Sequence, residues 1–134
     1  MLLAFVLTGC AKRDADQLKS ELQTVSSWTA TARMTGEAWL KQALPRAYTA
    51  QTFRIAGETM QEEMKTIRER PGGGAAEPWA SLFNQAGMVG QLTERMREAV
   101  EKRDDQALDQ LLKQLETQEQ AIKALAKSGG VAEP

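Results

Sequence analysis

Ala43-Leu44-Pro45-Arg46 is the stretch on which the fold turns. Proline has no backbone N–H, and its ring pushes the preceding residue out of helical geometry, so a helix continues poorly through Leu44. Pro45 is also well suited to open a new helix, where a missing donor costs nothing. On the N-terminal side Leu18, Leu22, Val25, Ala32, Trp39 and Ala43 recur at steps of three and four, which predicts a long helix over residues 15–43. Beyond the proline, Phe53, Ala56, Met60, Met64 and Ile67 give a second helix that stops at Pro71.

The apolar stripe can also be traced through Pro45 in phase, by way of Ala43, Arg46, Ala50 and Phe53. A kinked long first helix followed by a helical hairpin is therefore the alternative. A rod over residues 15–70 would reach ~80 Å at 1.5 Å per residue. The helices that follow are too short to cover such a rod, so a reversal is expected.

Pro71-Gly72-Gly73-Gly74-Ala75-Ala76-Glu77 joins a helix breaker to conformationally free glycines and is expected to be a linker, residues 71–77. It is not a phosphate loop, which needs Gly-Lys-Ser/Thr after a strand, whereas this run follows a helix. Pro78 fits the first turn of a third helix presenting Leu82, Ala86, Val89, Met96 and Val100, with Phe83 and Leu92 flanking. Near Arg103 the apolar phase slips by one position before Leu108, Leu111, Leu115, Ile122 and Leu125 take it up again. A slip marks a turn, and Asp104 or Asp105 is the expected cap of a fourth helix. Ser128-Gly129-Gly130 closes it, leaving residues 129–134 as an expected disordered tail. The expected class is all-α, an up-down-up-down four-helix bundle over residues 15–128. Leu40, Ile55 and Leu112 lie beside the main stripes, to widen the core or to form a dimer contact.

The 134 residues carry 17 basic and 18 acidic side chains, interleaved along the chain. Phosphate binding needs a concentrated basic patch, so nucleic acid is not an expected partner. Histidine is absent, which removes Ser-His-Asp and Cys-His catalysis, His-ligated haem and the Glu-x-x-His di-iron bundle. No enzyme activity, metal or cofactor is expected.

The N-terminus carries a separate signal. Leu7-Thr8-Gly9-Cys10 stands behind the apolar run from Met1 to Val6 and ahead of Lys12-Arg13-Asp14. It resembles the lipobox of bacterial lipoproteins, in which an aliphatic residue, a small residue and glycine precede the modified cysteine. The resemblance covers the first dozen residues only. It implies that residues 1–9 are a signal peptide, that Cys10 carries the lipid, and that residues 10–14 are a tether. Ala11 in place of Asp implies outer-membrane sorting with the domain facing the periplasm, tied to the membrane through its N-terminal lipid. Such signals normally open with Lys or Arg, which Met1-Leu2-Leu3 lacks, so an upstream start and a weak insertion signal both stay open. The apolar run falls short of the ~20 residues needed to span a bilayer. With the only cysteine assigned to lipid, no internal disulfide is available and the apolar core must hold the domain together.

Other features have weaker chemical meaning. Trp39 and Tyr48 flank the first turn and are expected to pack together there; with Met60 and Met64, one turn apart, they are the candidate lining of a ligand pocket. Glu58 with Glu62, and Glu94 with Glu98 and Glu101, lie near Lys65, Arg68, Arg95, Arg97 and Lys102, which reads as solvated charge pairing. Lys12 and Arg13 are placed either against anionic headgroups or in a plain solvated tether. Thr24, Ser26, Ser27, Thr29, Thr31 and Thr35, with Ala30, Ala32 and Gly36, make an unusually small and hydroxyl-rich helix that admits a neighbouring helix or a partner chain at close range. The functional expectation is a non-enzymatic envelope lipoprotein that acts as a scaffold or interaction module on another envelope protein. The alternative is a carrier or sensor of a small apolar or soft-metal ligand held between helices.

Overall fold

The structure, a computed structural model, describes the backbone of residues 2–128 and the side chains of residues 13–128. The expected tail, residues 129–134, lies outside the described residues. Four helices follow in order: α1 Leu2–Leu40, α2 Arg46–Glu69, α3 Trp79–Glu101 and α4 Asp105–Ser128. Each packs on the next, α4 closes the ring onto α1, and α1 touches α3 more sparsely across the diagonal. This is the up-down-up-down four-helix bundle. Leu22, Val25, Phe53, Met60, Leu82, Val89, Met96, Leu108, Leu115 and Ile122 are fully shut off from solvent on its axis. Each such side chain contributes roughly 1.5–3 kcal/mol relative to leaving it exposed.

The chain reverses before Pro45, and the kinked alternative does not form. Gln42 takes a left-handed φ of 59°. Its N–H donates to Trp39 O at 2.8 Å while the Ala43 N–H donates to Ala38 O at 2.9 Å. That pair of bonds satisfies carbonyls that the last turn leaves orphaned, and it stops the helix. Ala43, expected on the inward stripe, therefore lies exposed beyond the helix end, because the phase is lost once Gln42 turns left-handed. The α3–α4 reversal repeats the device. Arg103 has φ 53°, its N–H donates to Val100 O at 3.1 Å, and the Asp104 N–H donates to Ala99 O at 2.8 Å. Of the two candidate caps the structure uses Asp104, whose Oδ1 accepts from the Ala107 N–H at 3.0 Å.

The middle connection is different. Residues 70–78 link α2 to α3, with Gly72 and Gly73 at φ 89° and 67°, a region a side chain would strain.

The threonines of α1 do not disturb the helix. Thr29, fully buried, donates to Val25 O at 2.7 Å. Thr24, Thr31 and Thr35 likewise donate to the carbonyl four residues back. Their hydroxyls are thus satisfied within the helix itself. The small residues admit a helix of the same chain: a Cβ built on Gly36 would lie 2.7 Å from Leu112 Cδ2, so α4 packs directly over that glycine. Leu112 is buried, and Leu40 packs against the core. Both widen the monomer's own interior.

Candidate functional site

The up-down-up-down order places the start of α1, the end of α2, the start of α3 and the end of α4 at one end of the bundle. Residues 10–14, read from sequence as a tether, are helical there as part of α1. Asp14 is bonded to the domain. Arg70, just past α2, donates from Nη2 to Asp14 Oδ1, and Trp79 Nε1 donates to Asp14 Oδ2 at 3.4 Å. The Arg70 guanidinium also lies 4.1 Å from the Trp79 ring centroid and donates from Nη1 to Gly73 O at 2.9 Å. Its side chain is only 11% exposed. A cation over an indole face, neutralised by a carboxylate and tied to a loop carbonyl, is a charge held in one geometry by several partners at once. Three segments are joined in this clamp: the N-terminal part of α1, the end of α2, and the glycine-rich loop with the first turn of α3.

Cys10 lies in α1, and its side chain is outside the described residues. The other candidate residues are dispersed. Trp39 partly packs on the core and donates from Nε1 to Asp105 Oδ1 at 3.2 Å, toward the head of α4. Tyr48 points the other way, 58% exposed, where it lines a shallow groove between α1 and α2 with Trp28, Thr31, Thr52 and Ile55. Met60 is fully buried, with its Cβ 3.4 Å from the position a Cβ on Gly90 would take. Met64 Cε lies 3.3 Å from the corresponding position on Gly87. The two methionines fill space against α3, as an adaptable thioether does, while Tyr48 reaches a surface concavity. Among the described residues, no three His, Cys, Asp or Glu side chains converge as metal ligands.

Sequence reasoning missed the clamp and the groove. Asp14 reads as one of three charged residues after the cysteine, and its partner is 56 residues away. Trp28 and Ile55 each lie off the inward stripes, and that displacement was the available signal.

Of the charge pairs expected on the helix surfaces, those of Arg97 form, and Glu58 pairs with a residue not named in that expectation. Arg97 bonds Glu94 and Glu101, which holds the Glu94 carboxyl below its ordinary range. Arg54 pairs with Glu58 at 3.1 Å. A further pair crosses helices: Arg33 Nε donates to both oxygens of Glu119 at 2.8 and 3.1 Å, and Nη1 donates to Glu37 at 3.2 Å. These contacts hold the proton on Arg33 more tightly than usual, with the Glu119 bond the largest cause. They pin α1 to α4.

The inner side of the α1–α2 seam contains one uncomfortable feature. Asp14, Glu21 and Trp28 are spaced seven residues apart and so share a stripe on α1. The α2 residues facing the ends of that stripe are Arg70 and Ile55, which brings Glu63 level with Glu21. Glu21 and Glu63 each have an Oε2 buried without a hydrogen-bond partner. Burial pushes the Glu21 carboxyl above its ordinary range.

No helix among the described residues is long and apolar enough to cross a membrane. No family model, curated protein or solved structure matches this chain.

Proposed function

We propose that this chain is a bacterial envelope lipoprotein, held in the membrane by a diacylglycerol on Cys10, that acts without catalysis as a scaffold or protein-interaction module. The observation that carries the reading is Leu7-Thr8-Gly9-Cys10, set between an apolar run and an abrupt change to charge. Ala11 favours the outer membrane, with the bundle facing the periplasm. The α1–α2 groove supports an interaction role: Tyr48 is 58% exposed and lies there with Trp28 and Ile55, and clustered apolar side chains at a surface mark interaction sites.

Processing is the direct test. Globomycin, which blocks signal peptidase II, should cause the precursor to accumulate with residues 1–9 attached. Mass spectrometry of untreated material should find an acylated Cys10 as its first residue, and Cys10→Ser should abolish both acylation and membrane fractionation. A native protein that keeps residues 1–9 and a free thiol would overturn the reading. The non-enzymatic role is tested in the same cells by a photocrosslinker at position 48, which should capture one defined envelope protein that disappears in Cys10→Ser. A melting temperature that instead rises with Cu(I) or an apolar ligand would count for carriage.

A further inference from the structure

We infer that the end of the bundle formed by Arg13 and residues 71–78 is a membrane-contact surface whose partner is the phospholipid headgroup layer. The inference rests on the lipid-anchor reading above and adds an orientation to it. Its basis is the clamp of Asp14, Arg70 and Trp79, which fixes residue 14 to the folded domain at the ends of α2 and α3.

That fixed point lies four residue steps beyond Cys10. As part of α1 they span about 6 Å, at 1.5 Å per residue. Even pulled fully extended they reach only about 14 Å. The headgroup region of one leaflet is itself about 5–8 Å deep. A glyceride on Cys10 therefore keeps Asp14 within about 10 Å of the headgroup layer even with the tether extended, and the fixed Asp14 decides which end faces it. The opposite end, at residues 41–45 and 102–104, stands off by the length of α3, whose 23 residues span about 35 Å.

The chemistry of the contacting end suits that position. Pro71-Gly72-Gly73-Gly74-Ala75-Ala76 has no charged side chain, so this stretch enters the headgroup layer without stripping an ion of its water, while the exposed Glu77 next to it accepts from the Ser81 hydroxyl and keeps to the hydrated side. The charges nearest the anchor point are mixed: Asp14 and Arg70 neutralise each other within the fold, Arg13 and Arg68 are basic and exposed, and Asp16, Glu69 and Glu77 are acidic and exposed, so the short tether and not net charge sets the orientation. Exposed arginines at that level lie beside lipid phosphates.

The test uses the full acylated chain in phosphatidylcholine vesicles that contain a headgroup nitroxide lipid. Acylation consumes the only native cysteine, so a cysteine placed at Ala75 or at Gln106 carries a fluorophore uniquely. Both positions are exposed in the fold. The nitroxide should quench the label at Ala75 several-fold more than the label at Gln106. Adding Asp14→Ala to the Ala75 variant should reduce that difference while the helical circular dichroism is retained. Equal quenching at the two positions on a protein shown by mass spectrometry to be acylated would overturn the orientation and leave the anchor standing. A protein that is not acylated would overturn the anchor reading, and this inference with it.

Discussion

The α2–α3 seam and the α1–α2 seam join neighbours in the same ring, yet they are built on opposite rules. Between α2 and α3, the most intimately packed pair, the helices meet through glycine. A Cβ on Gly57 would lie 3.2 Å from Thr93 Oγ1, and one on Gly90 would lie 3.4 Å from Met60 Cβ. Between α1 and α2 one stretch of the seam carries Trp28, Tyr48 and Ile55 around an open groove, and the stretch toward Asp14 carries Glu21 and Glu63, each with a buried oxygen that has no hydrogen-bond partner. Both seams are amphipathic. Their widths differ because the side chains at the crossing set how close two backbones can come. A close seam gains dispersion contacts over its whole length, and an open seam leaves surface for something else to cover.

The sharpest way to break the contrast is to fill the close seam. Gly90→Leu should cost about 1–3 kcal/mol, because its Cβ would already meet Met60 Cβ at 3.4 Å and the Gly57 carbonyl at 4.0 Å, which leaves no space for the rest of the side chain. Thermal melting would show this as a drop of several degrees. Gly87→Ala is the control. The nearest atom to its new Cβ is the flexible end of Met64, so the gain of roughly 0.5–1 kcal/mol in helix propensity should survive. If both substitutions behaved alike, glycine would not be what sets the width of this seam.

The second prediction concerns charge in the open seam. Burial raises the Glu21 pKa in the folded state, so the native protein binds its proton more readily than the unfolded chain does. Stability then falls as pH rises from the ordinary carboxylate range through the raised value, and the cost persists at neutral pH. Glu21→Gln removes the charge and should stabilise at neutral pH, by less than either glycine effect, with the difference vanishing in acid. Denaturant titrations at neutral pH and below pH 4 would check this, and an equal gain at both would refute the assignment.

The smallest effect belongs to the groove. Tyr48→Ser removes an exposed ring from a surface that nothing among the described residues covers, and stability should stay within about 0.5 kcal/mol. The same substitution should weaken capture of a partner. A large loss of stability would mean that the groove is part of the core.

Several of these features were readable along the chain, and the reason is local. The break before Pro45, the glycine linker and the Asp104 cap depend on residues within a few positions of one another, and so do the stripes that became the core. Met64, Trp39 and Ala43 show where such reading stops. Each lies on an apolar stripe, yet Met64 is half-buried against Gly87, Trp39 bonds Asp105, and Ala43 falls past the end of its helix. A stripe defines a direction around a helix, and it does not say which neighbour occupies that direction. The same limit explains why Trp39, Tyr48, Met60 and Met64 do not share a pocket.

By itself, then, the order of residues determined that this protein is four amphipathic helices with three interruptions, and it placed a lipobox-like motif near the N-terminus. Helical period, proline geometry and capping act over one or two turns, which is why those features can be read in one dimension. Tertiary structure alone decided that Asp14 would meet Arg70 and Trp79, that Arg33 would reach Glu119, and that one seam would close on glycines while its neighbour stayed open. Those outcomes depend on the relative rotation and register of helices distant in the chain, and only the packing of all four together selects them.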